Sequence, residues 1–195
     1  MRRAVFFDRD GVINELFYNP ETNEFESPMD AKDLKLKTGA LESLKKIQDL
    51  DFLLFLISNQ PSFAKGKTSL ENIQQVHEKL HGALVDFGIH FSEYYYCFHH
   101  PKGIVEGYSY DCACRKPGPF FLFKAADQYR LDMNNSWLVG DQDIDILCGQ
   151  KAGVKTILIE EKHSASKRGS SCPDYVVKDI QEAVSFINTK MNSKT

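Results

Sequence analysis

The segment Phe52-Leu53-Leu54-Phe55-Leu56-Ile57 is apolar at every position. A strand with one wet face alternates apolar and polar residues. An unbroken run of this length is therefore a strand covered on both faces, the kind found in parallel sheets. Parallel neighbours need crossover connections, usually helices. The chain supplies them: apolar runs alternate with stretches at helical spacing, such as Leu41, Leu44, Ile47 and Leu50. The pattern predicts an α/β domain with a central, mainly parallel sheet flanked by helices. A length of 195 residues fits one domain over residues 1–195, since domains commonly run to roughly 100–200 residues.

Strands are expected at 3–7, 52–57, 94–98, 136–139 and 155–159, with a short one at 175–177. Helices are expected from Thr38 or Gly39, then at 69–87, 119–129, 143–152 and 180–191. Thr68 and Glu71 fit a capping box for the second helix, and Gly88 fits its stop. Residues 14–37 read as one long loop, and long loops in compact domains are often functional.

The net charge of −3 and the lack of a dense Lys/Arg cluster argue against a nucleic-acid partner. The apolar stretch near Met1 is too short for a secretory signal. No run approaches the roughly 20 apolar residues of a membrane span. A cytoplasmic monomer acting on a small molecule is expected.

The chemistry gathers at strand ends, where open α/β sheets bind their ligands. Asp8 and Asp10 close the first strand, and Gly11 lets the chain turn sharply there. Ser58 and Asn59 close the second, and Asp141 closes the fourth, with Asp145 one helical turn on. Converging carboxylates repel one another unless a hard divalent cation joins them, and oxygen ligands near a phosphate favour Mg²⁺. Lys116, in Arg115-Lys116-Pro117, could supply positive charge to a phosphoryl group. Taken singly, each residue has a plainer use: Asp141 as a helix cap, Lys116 as a solvated charge. Their joint arrangement is what points to a site.

Three of the five cysteines cluster: Cys97, Cys112 and Cys114. With His99 or the adjacent His100 they offer three thiolates and an imidazole, a donor set suited to tetrahedral Zn²⁺. The spacing is Cys-x-His, twelve residues, then Cys-x-Cys. Reduced cysteines packed as small apolar groups are the plainer alternative. His77 and His81, one turn apart on a predicted helix, are expected to pack rather than bind metal.

In this order, Asp8-Arg9-Asp10-Gly11-Val12-Ile13-Asn14, Ser58-Asn59-Gln60, Arg115-Lys116-Pro117 and Gly140-Asp141 with Asp145 resemble the haloacid dehalogenase (HAD) superfamily of phosphatases. The resemblance implies a Rossmann-like HAD fold. In it Asp8 is the nucleophile that becomes an aspartyl-phosphate, and Asp10 is the general acid and base. It implies Mg²⁺ on Asp8, the Asp10 carbonyl and Asp141, with Asp145 as an orienting partner. It gives Ser58 and Lys116 the transferred phosphoryl group, and Asn59 and Arg115 the substrate. The cysteine loop narrows the resemblance to the D-glycero-D-manno-heptose 1,7-bisphosphate phosphatases, and selects His99 as the fourth zinc ligand. Histidinol-phosphate phosphatases are the alternative branch. In the heptose branch the zinc loop and the segment after Asn14 form the pocket walls, with no separate cap domain. The chain departs from the pattern at Pro61, at Lys65 and at Gln142, where the family often has serine, arginine and lysine.

Overall fold

The computed structural model describes residues 1–192. In chain order the elements are β1 (Arg3–Phe7), β2 (Phe17–Asn19), β3 (Glu24–Glu26), α1 (Ala40–Asp49), β4 (Phe52–Asn59), α2 (Leu70–Asp86), β5 (Phe91–Cys97), α3 (Phe120–Tyr129), β6 (Trp137–Gly140), α4 (Asp143–Ala152), β7 (Lys155–Ile159), β8 (Tyr175–Val177) and α5 (Ile180–Asn192). Six strands form one sheet in the order β5-β4-β1-β6-β7-β8, and every pairing in it is parallel.

The unbroken apolar runs are explained by the pleat, which sends successive side chains to opposite faces. Val5, Phe7, Leu54 and Leu56 pack on one face with residues of α1, α2 and α5. Ala4, Phe6, Phe55 and Ile57 pack on the other with Leu122 and Ala125 of α3 and Cys148 and Ala152 of α4. Phe6 lies opposite Phe55 in the β1–β4 register, and their rings stack with centroids 5.0 Å apart.

The chain builds outward from β1 twice, first to β4 and β5, then to β6, β7 and β8. The order reverses at β1, and the crevice beyond the strand ends at such a reversal is where doubly wound sheets bind ligands. Asp8 follows β1 there and Asp141 follows β6.

Beyond one-residue shifts at the ends of elements, the structure differs from the sequence expectation in four places. Residues 14–37 are not one loop: β2 and β3 pair as an antiparallel hairpin, followed by a 3-10 turn at Ala31–Asp33. Three-residue strands are too short to show a period, so nothing in the pattern betrays them. β4 continues through Ser58 and Asn59 because both pair with β5. β5 begins at Phe91, earlier than expected, because Ser92 and Glu93 lie on a half-buried edge strand and need not be apolar. The cap of α2 is Ser69, whose hydroxyl accepts from the Asn72 amide at 3.0 Å, while the Thr68 hydroxyl donates to the Met29 carbonyl at 2.7 Å.

Phe55 is fully buried between the rings of Phe6 and Tyr129. Phe55→Ala should lower stability by about 3–5 kcal/mol in urea denaturation. Phe123→Ala, at a ring about half exposed, should cost under about 1 kcal/mol.

Candidate active site

Asp8 extends β1 by one more rung: its amide donates to the Val139 carbonyl of β6 at 2.9 Å. The chain then turns back. Ile13 and Asn14 donate to the Arg9 carbonyl, and Gly11 donates to the Asn14 carbonyl. Gly11 has φ +86°, a conformation that costs glycine little. A Cβ at this position would run into the Asp141 carboxylate. The first and fourth motifs therefore touch through the missing side chain of Gly11.

Asp8 and Lys116 are both buried. The Lys116 ammonium lies 2.8 Å from Asp8 Oδ1 and 2.6 Å from Asp145 Oδ1, and it donates to the Ile57 carbonyl at 2.9 Å. Burial pushes the Asp8 pKa up to about 7. Lys116 opposes this, and the nearby Asp145 and Asp10 reinforce it. Burial would discharge Lys116, but Asp145 and Asp8 outweigh it and raise the lysine above its ordinary value. The lysine therefore stays charged while Asp8 is poised near neutrality.

Asp10 points to different partners. Arg9 grips it with Nε at 3.0 Å and Nη2 at 3.1 Å, Asn14 Nδ2 donates at 3.0 Å, and Gln60 Nε2 donates at 2.7 Å. Burial acts to raise its pKa, but Arg9 and these hydrogen bonds more than offset that and hold it below the usual carboxylate range. The two carboxylates thus have opposed proton affinities, an arrangement that lets neighbouring acids take different roles. Arg9 has no exposed surface, and the sequence reading assigned neither it nor Gln60 a role. The available signal was an arginine between two aspartates at the end of a buried strand, a place where a charge persists only if paired.

Gln60 also donates to the Ser58 hydroxyl at 2.8 Å, linking the second motif to Asp10. The Asn59 side chain donates to the Lys116 carbonyl and accepts from the Lys116 amide, each at 3.1 Å. Asn59 thereby pins the backbone that carries the lysine. A cavity of about 230 Å³ opens on this group, with Asp8, Asp10, Asn59, Arg115, Lys116 and Gln142 in its wall. Ser58 is buried and is not part of that wall.

Asp8, Asp141 and Asp145 each offer an oxygen, and these oxygens lie within 4.8 Å of one another. Asp141 has no exposed surface, and neither of its oxygens has a hydrogen-bond partner among the described residues. Burial raises its pKa well above the ordinary value, reinforced by Asp8 and Asp145. An unpartnered buried carboxylate is costly unless a cation meets it, so this donor set fits a hard divalent ion. Asp145 is partly committed elsewhere: its Oδ2 accepts from the Gln142 amide at 3.0 Å in a capping box with Gln142 as N-cap of α4. Asp141 is therefore not the helix cap that its position allowed.

The second cluster brings together Cys97, His99, Cys112 and Cys114, with ligand atoms again within 4.8 Å of one another. The sulfurs are separated by 3.5, 3.5 and 3.2 Å, and His99 Nδ1 is 3.9 Å from Cys97 Sγ and 3.6 Å from Cys114 Sγ. Zinc–sulfur bonds of about 2.3 Å in a tetrahedron put sulfurs about 3.8 Å apart, so the cluster is close to the size of a metal-filled one. The Tyr110 hydroxyl is 2.9 Å from His99 Nε2, the outer contact that orients a histidine ligand. His100 faces away, its Nδ1 accepting from the Lys102 amide at 3.0 Å. The two helical histidines pack instead: His77 Nδ1 lies 3.0 Å from the Tyr96 hydroxyl and His81 Nδ1 3.1 Å from that of Tyr94.

A HAD-hydrolase-like family model matches residues 113–183. A D-glycero-beta-D-manno-heptose-1,7-bisphosphate 7-phosphatase of Pasteurella multocida is 33% identical over 96% of this chain and 97% of its own. The D-glycero-alpha-D-manno-heptose-1,7-bisphosphate 7-phosphatase of Photorhabdus laumondii is 34% identical over 85% of this chain and 86% of its own. Among solved structures, the D,D-heptose 1,7-bisphosphate phosphatase of B. bronchiseptica, complexed with magnesium and phosphate, superposes with a TM-score of 0.79. It covers 96% of this chain and 99% of that one at 23% identity, so it speaks for the fold. Identity of 33% across almost the full length of both chains, with the HAD fold beneath it, makes this chain a phosphatase of the heptose-1,7-bisphosphate 7-phosphatase family, within the HAD superfamily.

Proposed function

We propose that the chain removes the 7-phosphate of D-glycero-D-manno-heptose 1,7-bisphosphate, with Asp8 as nucleophile. The observation that carries this is the Lys116–Asp8 ion pair beside the unpartnered Asp141 carboxylate, in a chain 33% identical to a phosphatase named for that substrate. Mg²⁺ would be held by Asp8, Asp141 and the Asp10 carbonyl. There it would neutralise charge on the phosphoryl oxygens and let an anionic carboxylate meet an anionic substrate.

The chain's own groups do the rest. The Asp8 carboxylate attacks phosphorus, and the phosphorus–oxygen bond to the sugar breaks. Asp10 gives a proton to the departing sugar oxygen. The grip of Arg9 keeps Asp10 ionised at rest. A dianionic phosphate brought beside it raises its pKa, so that it takes up from solvent, as the substrate binds, the proton that it then gives. Asp10 then takes a proton from the water that attacks the aspartyl-phosphate, returning Asp8 as a carboxylate. Lys116 holds charge on the transferred phosphoryl oxygens throughout, joined by the Ser58 hydroxyl. Asn59 and Arg115 hold the backbone and the sugar end of the pocket, and Asp145 keeps Lys116 aimed.

Zn²⁺ on Cys97, His99, Cys112 and Cys114 would be structural, since four protein ligands close the coordination sphere. The protein acts as one domain over residues 1–195, as a cytoplasmic monomer. No helix among the described residues is long and apolar enough to cross a membrane.

Asp8→Asn should keep the fold by circular dichroism and cut Mg²⁺-dependent phosphate release from either anomer of the bisphosphate by at least about a thousandfold. Near wild-type turnover would remove Asp8 as nucleophile.

The pH response follows from the Asp8 pKa. It is raised from 3.8 to about 7, so the metal-free fold holds an extra proton between those values and loses stability as pH rises through them. A cation must displace that proton. Asp141, raised likewise, must also give up its proton, so the cation's apparent affinity should fall as the pH is lowered. Mg²⁺ should accordingly raise the melting temperature more at pH 8 than at pH 6.

Elemental analysis should find one zinc per chain, absent from a Cys112→Ser Cys114→Ser variant that melts lower. A zinc-free wild-type protein of equal stability would count against the site.

A further inference from the structure

A second cavity, of about 340 Å³, borders the one that holds Asp8. Ser27, Pro61, Lys65 and Lys167 line both, so the two adjoin along a shared wall. Its wall carries Lys65, Lys67, Lys167 and His163 against two acids, Glu24 and Glu26. Glu26 is already engaged, by Lys67 at 2.6 Å and the Thr22 hydroxyl at 2.8 Å. Lys65 and Lys167 have no ion pair or side-chain hydrogen bond among the described residues. Partial burial, then Lys67, Arg115 and Lys167, lower the Lys65 pKa, with Glu26 opposing. Cations are thus gathered where they repel one another.

The segment bearing Lys167 is tied down on both sides. Before it, the Ser164 hydroxyl donates to the Asp141 carbonyl at 3.1 Å. After it, the Asp143 carboxylate accepts from the hydroxyls of Ser170 at 2.6 Å and Ser171 at 2.5 Å, and from the amides of residues 169–171. These bonds pull the Asp143 pKa far down against the opposing effect of burial. Arg168 also donates to the Ile159 carbonyl at 3.1 Å. Lys167 therefore projects from a fixed stretch of backbone, not a free loop, and the two residues that clamp that stretch, Asp141 and Asp143, flank Gln142 in the active-site wall.

We propose that Lys65 and Lys167, which line both cavities, form an anion subsite for the second phosphate of a bisphosphate substrate while the first lies beside Asp8. A phosphate monoester carries about two negative charges at neutral pH, which two lysines match. The proposal rests on the reading of the chain as a sugar-bisphosphate phosphatase, and it assigns to these lysines the choice of a bisphosphate over a monophosphate.

The test compares heptose 1,7-bisphosphate with heptose 7-phosphate, which present the same reacting phosphate. Lys65→Met and Lys167→Met should each lower the ratio of kcat/KM for the two substrates about tenfold, the size of one charge-assisted hydrogen bond. The loss should lie in KM for the bisphosphate, and Lys167→Arg should restore the ratio. A structural role would depress both substrates together, and an unchanged ratio overturns the subsite. Calorimetric binding of the bisphosphate to the Asp8→Asn protein reads the subsite without turnover. If the wild-type enzyme hydrolyses neither compound but this binding still weakens with the lysine substitutions, the subsite stands and the functional reading fails. Binding indifferent to the lysines, or none at all, overturns the subsite.

Discussion

The Lys116 ammonium lies 2.8 Å from Asp8 and 2.6 Å from Asp145, and almost none of it reaches solvent. Such a charge is tolerated only with close partners, and removing one partner of a buried pair is far costlier than never having built it. The surrounding structure is arranged to hold this group. β4 offers the Ile57 carbonyl as a third acceptor, and Asn59 clamps the lysine's own backbone from both sides. Asp145 is held in turn by the capping box of α4. Two strands, β1 and β4, and the helix α4 thus converge on one cation, and their places in the sheet order are what bring them there.

That convergence does not place all the acids alike. Asp8 and Asp10 are two residues apart, yet one faces a lysine it shares with other carboxylates and the other faces an arginine of its own. Burial raises both proton affinities. The shared lysine does not offset it at Asp8, where neighbouring acids add to it, whereas the private arginine and its companion hydrogen bonds more than offset it at Asp10. The turn at Gly11 makes this separation possible, because it redirects the chain within a single residue and leaves room for Asp141.

Much of this was legible from the residues. α4, β7 and β8 fall on the expected residues, because each is bounded by a glycine, a charge or a change of period. The acids at strand ends could be located because a parallel sheet has only one edge on which they can gather. The contacts around them could not. Arg9 reads as a charged residue in a turn, and only the tertiary packing shows it fully buried on Asp10. Ser69 and Thr68 are equally good caps by composition, and the Met29 carbonyl settles which is used. The β2–β3 hairpin rests on local bonds and on the stacking of Phe25 against His163, 138 positions further on in the numbering, a contact with no trace in local sequence.

The cysteine cluster contributes no residue to the wall of the cavity around Asp8, yet Cys114 stands only two residues before Lys116. The chain leaves the cluster and reaches the buried ammonium with a single residue, Arg115, between them. Little slack exists in so short a tether. Whatever sets the spacing of the sulfurs also sets the reach of the lysine. A thiol drawn into an oxidised bond would shift the tether's origin, and the damage would register as slow chemistry at Asp8, in a protein whose acids were all still in place.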